Sequence, residues 1–495
     1  MRVRRRLLRC ASLIGVFGAM TAAGLAATAH WSSAIEVPGT ADLNRADAAV
    51  TSVSCGSPGN CAAGGFYDSP GSEDHGVDFP NVEAYGKAFV VNERNGVWGA
   101  AVTVPTHGLT SLNSISCATA SFCAAGGSYT GRRGRLQAWV MNERNGVWAA
   151  PIKVPGTTGL NRRDAFLFTI SCPVAGFCAA GGTYEDSRRG EHAFVVNETN
   201  GVWGKAIEVP GPAALHRVGT DTAVYSISCA AANSCAAGGV YGSHAFVVDE
   251  RNGVWRRATE VPGEILPAHS RGVAAVNSVS CATPRFCAAG GAASTGVFGN
   301  TVAFVVNEED GVWRKAIAEP GSALVQSHFR DANVGSISCA SAGTCTAGGG
   351  YADGYGGEQA FVVRERHGVW RKAIEVPGLA TLDAGNLAEL DSISCATGGS
   401  CAAGGYYSDG SGGDDNSIPL QTFVVNEKRG VWQDAIEVPG SAILNVGANP
   451  SIDPFGDYPA NASVTQISCA RPGSCAAGGF YTDSSGNTQA FAISK

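Results

Sequence analysis

Ser226-Ile227-Ser228-Cys229, followed after five residues by Cys235-Ala236-Ala237-Gly238-Gly239-Val240-Tyr241 and then by Ala245-Phe246-Val247-Val248-Asp249-Glu250-Arg251-Asn252-Gly253-Val254-Trp255, is one copy of a unit that fills the chain. Its Cys-x5-Cys spacing recurs eight times: Cys55 and Cys61, Cys117 and Cys123, Cys172 and Cys178, Cys229 and Cys235, Cys281 and Cys287, Cys339 and Cys345, Cys395 and Cys401, Cys469 and Cys475. Successive copies begin 52 to 74 residues apart, the period of solenoids and propellers.

Apolar residues within a copy follow strand periodicity. Ser-Ile-Ser-Cys and Cys-Ala-Ala-Gly-Gly-x-Tyr flank a short turn, while Ala-Phe-Val-Val-Asn-Glu and Val-Trp-x-x-Ala-Ile-x-Val-Pro flank an Asn-Gly turn, which predicts four antiparallel strands per repeat. No segment shows capped helical spacing. The third-strand aromatic and the fourth-strand Trp are always nine residues apart, as from Phe246 to Trp255. By contrast, the gap from second cysteine to third-strand aromatic runs from 11 to 28 residues, and that from Trp to the next cysteine from 19 to 37. Because antiparallel strands alternate direction, both constant turns share one face of the molecule and both variable connections share the other, where binding loops are expected.

The shortest variable connection, Gly242-Ser243-His244, can close a hairpin but cannot cross between blades. The Val-Pro-Gly connection therefore joins blades, and Ser-Ile-Ser-Cys is innermost. Trp31 to Gly39 reads as an orphan fourth strand and Ala490 to Lys495 as a third strand lacking its fourth. The expected fold is all-β: an eight-bladed propeller of four-stranded antiparallel blades, closed when the N-terminal strand completes the last blade.

Residues 1–29 read as a secretory signal peptide: five arginines precede an apolar run that ends at Ala27-Thr28-Ala29. Sec export fits this segment better than twin-arginine export, and the propeller is expected to span 30–495. That part carries 30 basic and 42 acidic residues, a net charge of −12, which argues against nucleic acid or an anionic membrane as partner. In an oxidising compartment the evenly paired cysteines are expected as disulfides within each repeat, since metal-ligand spacing is lacking. A monomer without cofactor or metal is expected.

The order Gly-Gly-x-Tyr, variable loop, His192-Ala193-Phe194 or His244-Ala245-Phe246, Asn-Gly turn and Pro-Gly resembles extracellular HAF-type repeats and secreted bacterial propeller repeats with a Ser-Cys-x5-Cys hairpin. That resemblance implies a secreted propeller and no particular activity. The recurring Trp and Tyr residues are expected to pack between sheets.

One column departs from the repeat. Eight residues before the first cysteine, at the start of the inner strand, four copies carry aspartate (Asp47, Asp164, Asp221, Asp331) with Arg45, Arg163, Arg217 and Arg330 nearby. These residues either hold the long connections in place as ion pairs or form a ligand-binding rim at the channel mouth. Asp409 to Asn416 is acidic and Gly-rich but lacks the ligand alternation of a calcium loop. The sialidase Asp-box, Gly-x-Ser-x-Gly and His-Glu-x-x-His are all absent. A binding or adhesion module for an extracellular glycan or protein is the leading expectation, and a propeller glycoside hydrolase or polysaccharide lyase using channel-mouth carboxylates the alternative.

Overall fold

A computed structural model describes residues 30–69, 86–211, 221–263, 272–294, 301–318, 331–353, 356–411, 419–447 and 462–495. Each Cys-x5-Cys unit forms one antiparallel sheet. In the fourth blade the order from the axis outward is Thr222–Ala231, Ser234–Tyr241, His244–Arg251 and an outer strand in two pieces, Val254–Trp255 and Thr259–Glu260. Every innermost strand lies beside that of the next repeat, and the eighth, Ala462–Arg471, lies beside the first, Ala48–Ser57, so the ring closes with eight blades. Ile35–Glu36 pairs with the last strand, Ile35 opposite Ala492 and Glu36 opposite Phe491. The N-terminal segment thereby supplies the outer strand of the eighth blade.

Two details differ from the sequence reading. The outer strand is interrupted: Trp255 pairs with Glu250 and Glu260 with Phe246, so the outer strand spends one residue more than its partner over the same span. Such a bulge twists an exposed edge and discourages further strand addition. In addition, among the described residues single helical turns follow the Pro-Gly of four interblade connections, α-helical at Thr40–Leu43, Thr157–Leu160 and Ser441–Leu444 and 3-10 at Leu379–Thr381.

Apolar burial runs between blades. Val224, Ile227, Phe246 and Val248 of the fourth blade pack with Phe177, Ala179 and Val195 of the third. Burying each of these Val, Ile and Phe side chains contributes about 1.5–3 kcal/mol. The cysteines pair as the spacing predicts, each within its own repeat: Cys55 with Cys61, Cys117 with Cys123, Cys172 with Cys178 and Cys229 with Cys235. The remaining four bridges join Cys281 to Cys287, Cys339 to Cys345, Cys395 to Cys401 and Cys469 to Cys475. All eight tie an innermost strand to its second strand, an architectural role. The second cysteine of each pair is buried, which shields the bridge from solvent. Each bridge closes a short ring, for which chain entropy gives only about 2 kcal/mol.

The repeat motif also joins neighbours through polar groups. An innermost strand has no partner on its axial side, so half of its N–H groups need other acceptors. The serine before each first cysteine provides one: Cys281 N–H donates to Ser228 Oγ of the preceding blade at 2.9 Å, and the contact repeats around the ring until Cys55 N–H reaches Ser468 Oγ, also at 2.9 Å. The other Ser of Ser-x-Ser-Cys does the same one pleat earlier, as from Val279 N–H to Ser226 Oγ at 2.9 Å. Nearer the rim, the Trp203 indole N–H donates to Asn142 of the preceding blade (2.9 Å) and that of Trp255 to Asn197 (3.2 Å). Positive φ at Asn252 (52°) and Gly253 (77°) identifies the intervening turn as type I′.

Candidate functional site at the channel mouth

Ala-Gly-Gly determines where the inner strand can aim side chains. A Cβ on Gly238 would lie 2.5 Å from Val276 Cγ1 of the next blade, and one on Gly239 would lie 1.9 Å from the Ala223 carbonyl oxygen. That carbonyl presses in because the inner strand bulges there, between Val224 and Ser226, leaving Tyr225 as the extra residue. The same bulge occurs in six other blades and leaves Thr51, Asn113, Phe168, Asn277, Asp391 and Thr465 out of register. These residues stand four before the first cysteine, close to the axis and toward the variable face. Four are small, neutral and polar, whereas Phe168 and Tyr225 are aromatic and Asp391 carries a carboxyl.

Asp391 belongs to a carboxyl cluster spanning the sixth to eighth blades. Ser463 Oγ of the eighth blade donates to Asp391 Oδ2 at 2.6 Å. Glu389, two residues earlier, accepts from the Tyr406 hydroxyl at 3.0 Å and from Asn333 Nδ2 of the sixth blade at 3.2 Å. Glu358 of the sixth blade reaches the same cleft over Gly350, whose Cβ would lie 2.7 Å from Glu358 Oε1 and 3.3 Å from Glu389 Cγ. Among the eight copies only Gly350 is a glycine at that position, so the space for these carboxyls is specific to this blade.

Asp391 keeps some accessible surface although protein surrounds it closely, as expected of a group facing a narrow interior channel. Burial, then repulsion from Glu389 and Glu358, pushes its carboxyl up to about 8 against the Ser463 hydrogen bond. Burial followed by Glu389 raises Glu358 to about 7. Burial and the same carboxylates hold the Tyr406 phenol well above its ordinary range. At neutral pH this wall therefore keeps protons on Asp391 and Tyr406.

The third and fourth blades present an aromatic wall. Phe166 and Phe168 stack with ring centroids 6.2 Å apart, and Tyr225 meets Phe168 edge-on at 5.7 Å. Glu191 stands at the start of a third strand, the same repeat position as Glu358. Burial, then Asp221 and Glu185, raises it to about 7. Tyr225 is raised by burial and by Glu191 and Asp221. In an eight-membered ring the third and seventh blades lie opposite one another, so this wall faces the carboxyl cluster across the axis.

The aspartates singled out in the sequence divide into two sets. Asp164 accepts Leu136 N–H at 2.6 Å, Asp331 accepts Thr301 N–H at 3.0 Å and Asp47 accepts Thr488 N–H at 3.4 Å. Each of these clips the start of the preceding blade's third strand. Asp221 instead is exposed and beside Glu191 and Tyr225. Arg163 lies 3.6 Å from Glu185, and exposed Arg45 donates its backbone N–H to the Asp68 carbonyl. Arg217, Arg330, residues 1–29 and most of the Asp409 to Asn416 loop lie outside the described residues. Among the described residues no group of three His, Cys, Asp or Glu is placed to hold a metal.

Sequence reading missed Glu358, Glu389, Asp391, Tyr406, Phe168 and Tyr225. A signal was present four residues before the first cysteine, where Phe168, Tyr225 and Asp391 break a column that otherwise holds Thr, Asn or Gly.

No family model matches the chain, and no curated protein matches it. Among solved structures it is similar to the Hadza microbial sialidase Hz136 (8% identity, TM-score 0.38, covering 83% of this chain and 73% of that one). It is also similar to a subtype N11 neuraminidase-like protein of flat-faced bat origin (11%, TM-score 0.38, 69% and 95%) and to an ulvan lyase of a new polysaccharide lyase family (8%, TM-score 0.40, 75% and 89%). At these values the likeness concerns the propeller alone.

Proposed function

We propose that the chain is an extracellular carbohydrate-binding propeller whose ligand enters the channel mouth on the variable face. The observation that carries this reading is the two-walled mouth: Phe168 and Tyr225 on one side, and Glu389, Asp391 and Tyr406 with their hydrogen-bonding partners on the other. A sugar ring has an apolar C–H face and a hydroxyl rim, and an apolar surface opposed by a few placed polar groups matches both. Eight disulfides support an oxidising location. The test is a glycan array probed with residues 30–495, followed by calorimetry on the hits. Phe168→Ala/Tyr225→Ala and Glu389→Gln are each expected to weaken binding about tenfold or more, which is about 1.4 kcal/mol. Unchanged affinity in both would refute the reading.

A second reading, glycoside cleavage, draws on Asp391, which retains its proton near neutral pH as a general acid must. It requires that array hits be cut by the wild-type protein, and that Asp391→Asn stop cutting while binding persists.

A further inference from the structure

A second feature of the variable face lies away from the channel, between the second and third blades. The hairpin joining Phe122–Thr130 to Leu136–Arg144 carries Arg132, Arg133 and Arg135, and the interblade connection after Thr157–Leu160 carries Arg162 and Arg163. With Lys153 these side chains line a cavity of about 330 Å³, together with Tyr129, Gln137 and Asn161. Six cations converge here in a chain whose residues 30–495 carry a net charge of −12.

Both loops are held by the backbone. Gly131 N–H donates to the Arg135 carbonyl at 2.8 Å, and Gly134, with φ 70°, donates back to Gly131 at 2.9 Å. Arg162 N–H donates to the Glu185 carbonyl at 2.9 Å, and Arg163 N–H to the Asn161 side chain at 2.9 Å. The Arg135 guanidinium bonds the Arg162 carbonyl, and Asp164 accepts Leu136 N–H, so the two loops are tied to each other. This arrangement holds like charges close together before any ligand arrives. Two carboxylates border these cations, Glu185 at 3.6 Å from Arg163 and Asp164 beside it, and Lys153 is pushed down by burial. Water screens these mostly exposed cations from one another in the free protein, and their convergence attracts an anion that fits.

We propose that this cleft binds a short acidic oligosaccharide bearing sulfate or uronate groups. Arginines suit planar or tetrahedral oxyanions through paired N–H donors, and the amides of Gln137 and Asn161 with the Tyr129 hydroxyl suit sugar hydroxyls. The volume takes a segment of one or two sugar units. The acidic remainder of the surface disfavours a long polyanion, and a lone aromatic gives no stacking platform for nucleic-acid bases. The inference is independent of the channel mouth, with which the cleft shares no lining residue.

The experiment is calorimetry of residues 30–495 with a chondroitin sulfate tetrasaccharide, its desulfated and carboxyl-reduced counterpart, and a short single-stranded DNA. The sulfated tetrasaccharide is expected to bind with affinity that falls as salt rises, and the neutral counterpart at least about tenfold more weakly. Arg132→Glu/Arg133→Glu, both exposed, should lower affinity at least about tenfold with an unchanged melting temperature, while Arg285→Glu on the constant face should leave it unchanged. The proposal is overturned if the tetrasaccharide does not bind at about 1 mM, if the double variant binds it normally, if Arg285→Glu weakens it equally, or if DNA binds as tightly.

Discussion

The two ends of the strands follow opposite rules. At the constant face the turns, the Asn-to-Trp hydrogen bonds and the buried glutamates recur blade after blade; Glu143 and Glu308 each accept the N–H of the turn glycine three residues on. At the variable face the connections vary in length and sequence, and the side chains that gather at the channel and in the basic cleft come from a few blades only. A residue present in every copy meets the same local surroundings eight times, so its role is architectural. A residue that breaks the repeat has no such explanation. In this molecule those exceptions collect where strands begin and loops vary.

The contrast is open to attack. Gly239→Ala should cost the most, on the order of 3 kcal/mol or more, because the added Cβ would lie 1.9 Å from a backbone carbonyl that cannot retreat without undoing the bulge. A melting temperature close to wild type would mean that the glycine pair is not what permits the bulge. Asp391→Asn should act in the other direction. Folded Asp391 holds its proton up to pH about 8, whereas in the unfolded chain it releases it near pH about 4. Between these values the folded state binds the extra proton, so stability declines as pH rises from about 4 to about 8 and the whole penalty stands above that. Glu358 and Glu191 add to the slope up to pH about 7. Asp391→Asn is therefore expected to stabilise the protein by a few kcal/mol more at pH about 8.5 than at pH about 5, with a flatter melting profile between. An unaltered profile would remove Asp391 as the source of the slope.

Ser228→Ala removes one acceptor from the ring and leaves Cys281 N–H without its partner, which should cost about 1 kcal/mol in chemical denaturation. The same change at several blades should add, since the sites do not touch. Arg133→Ala, at an exposed loop position, should shift stability by less than about 0.5 kcal/mol. A loss there comparable to that of Ser228→Ala would erase the distinction between repeat and exception.

The chain's own pattern determined the blade count, the strand order, the disulfide pairing and the closure by Ile35–Glu36, because each follows from local spacing repeated many times. The aspartate column was visible too, but not its division: Asp47, Asp164 and Asp331 clip the neighbouring strand, whereas Asp221 sits beside Tyr225. Only the tertiary structure brought Phe168 and Tyr225 opposite Glu389 and Asp391, residues about a third of the chain or more apart in sequence. Their meeting depends on the ring and on a bulge that sets one residue of the inner strand out of register in seven of the blades. The ring was legible in the repeats, but the bulge was not, because it is decided by how each inner strand pairs with its neighbour and leaves no mark in the spacing of the repeat.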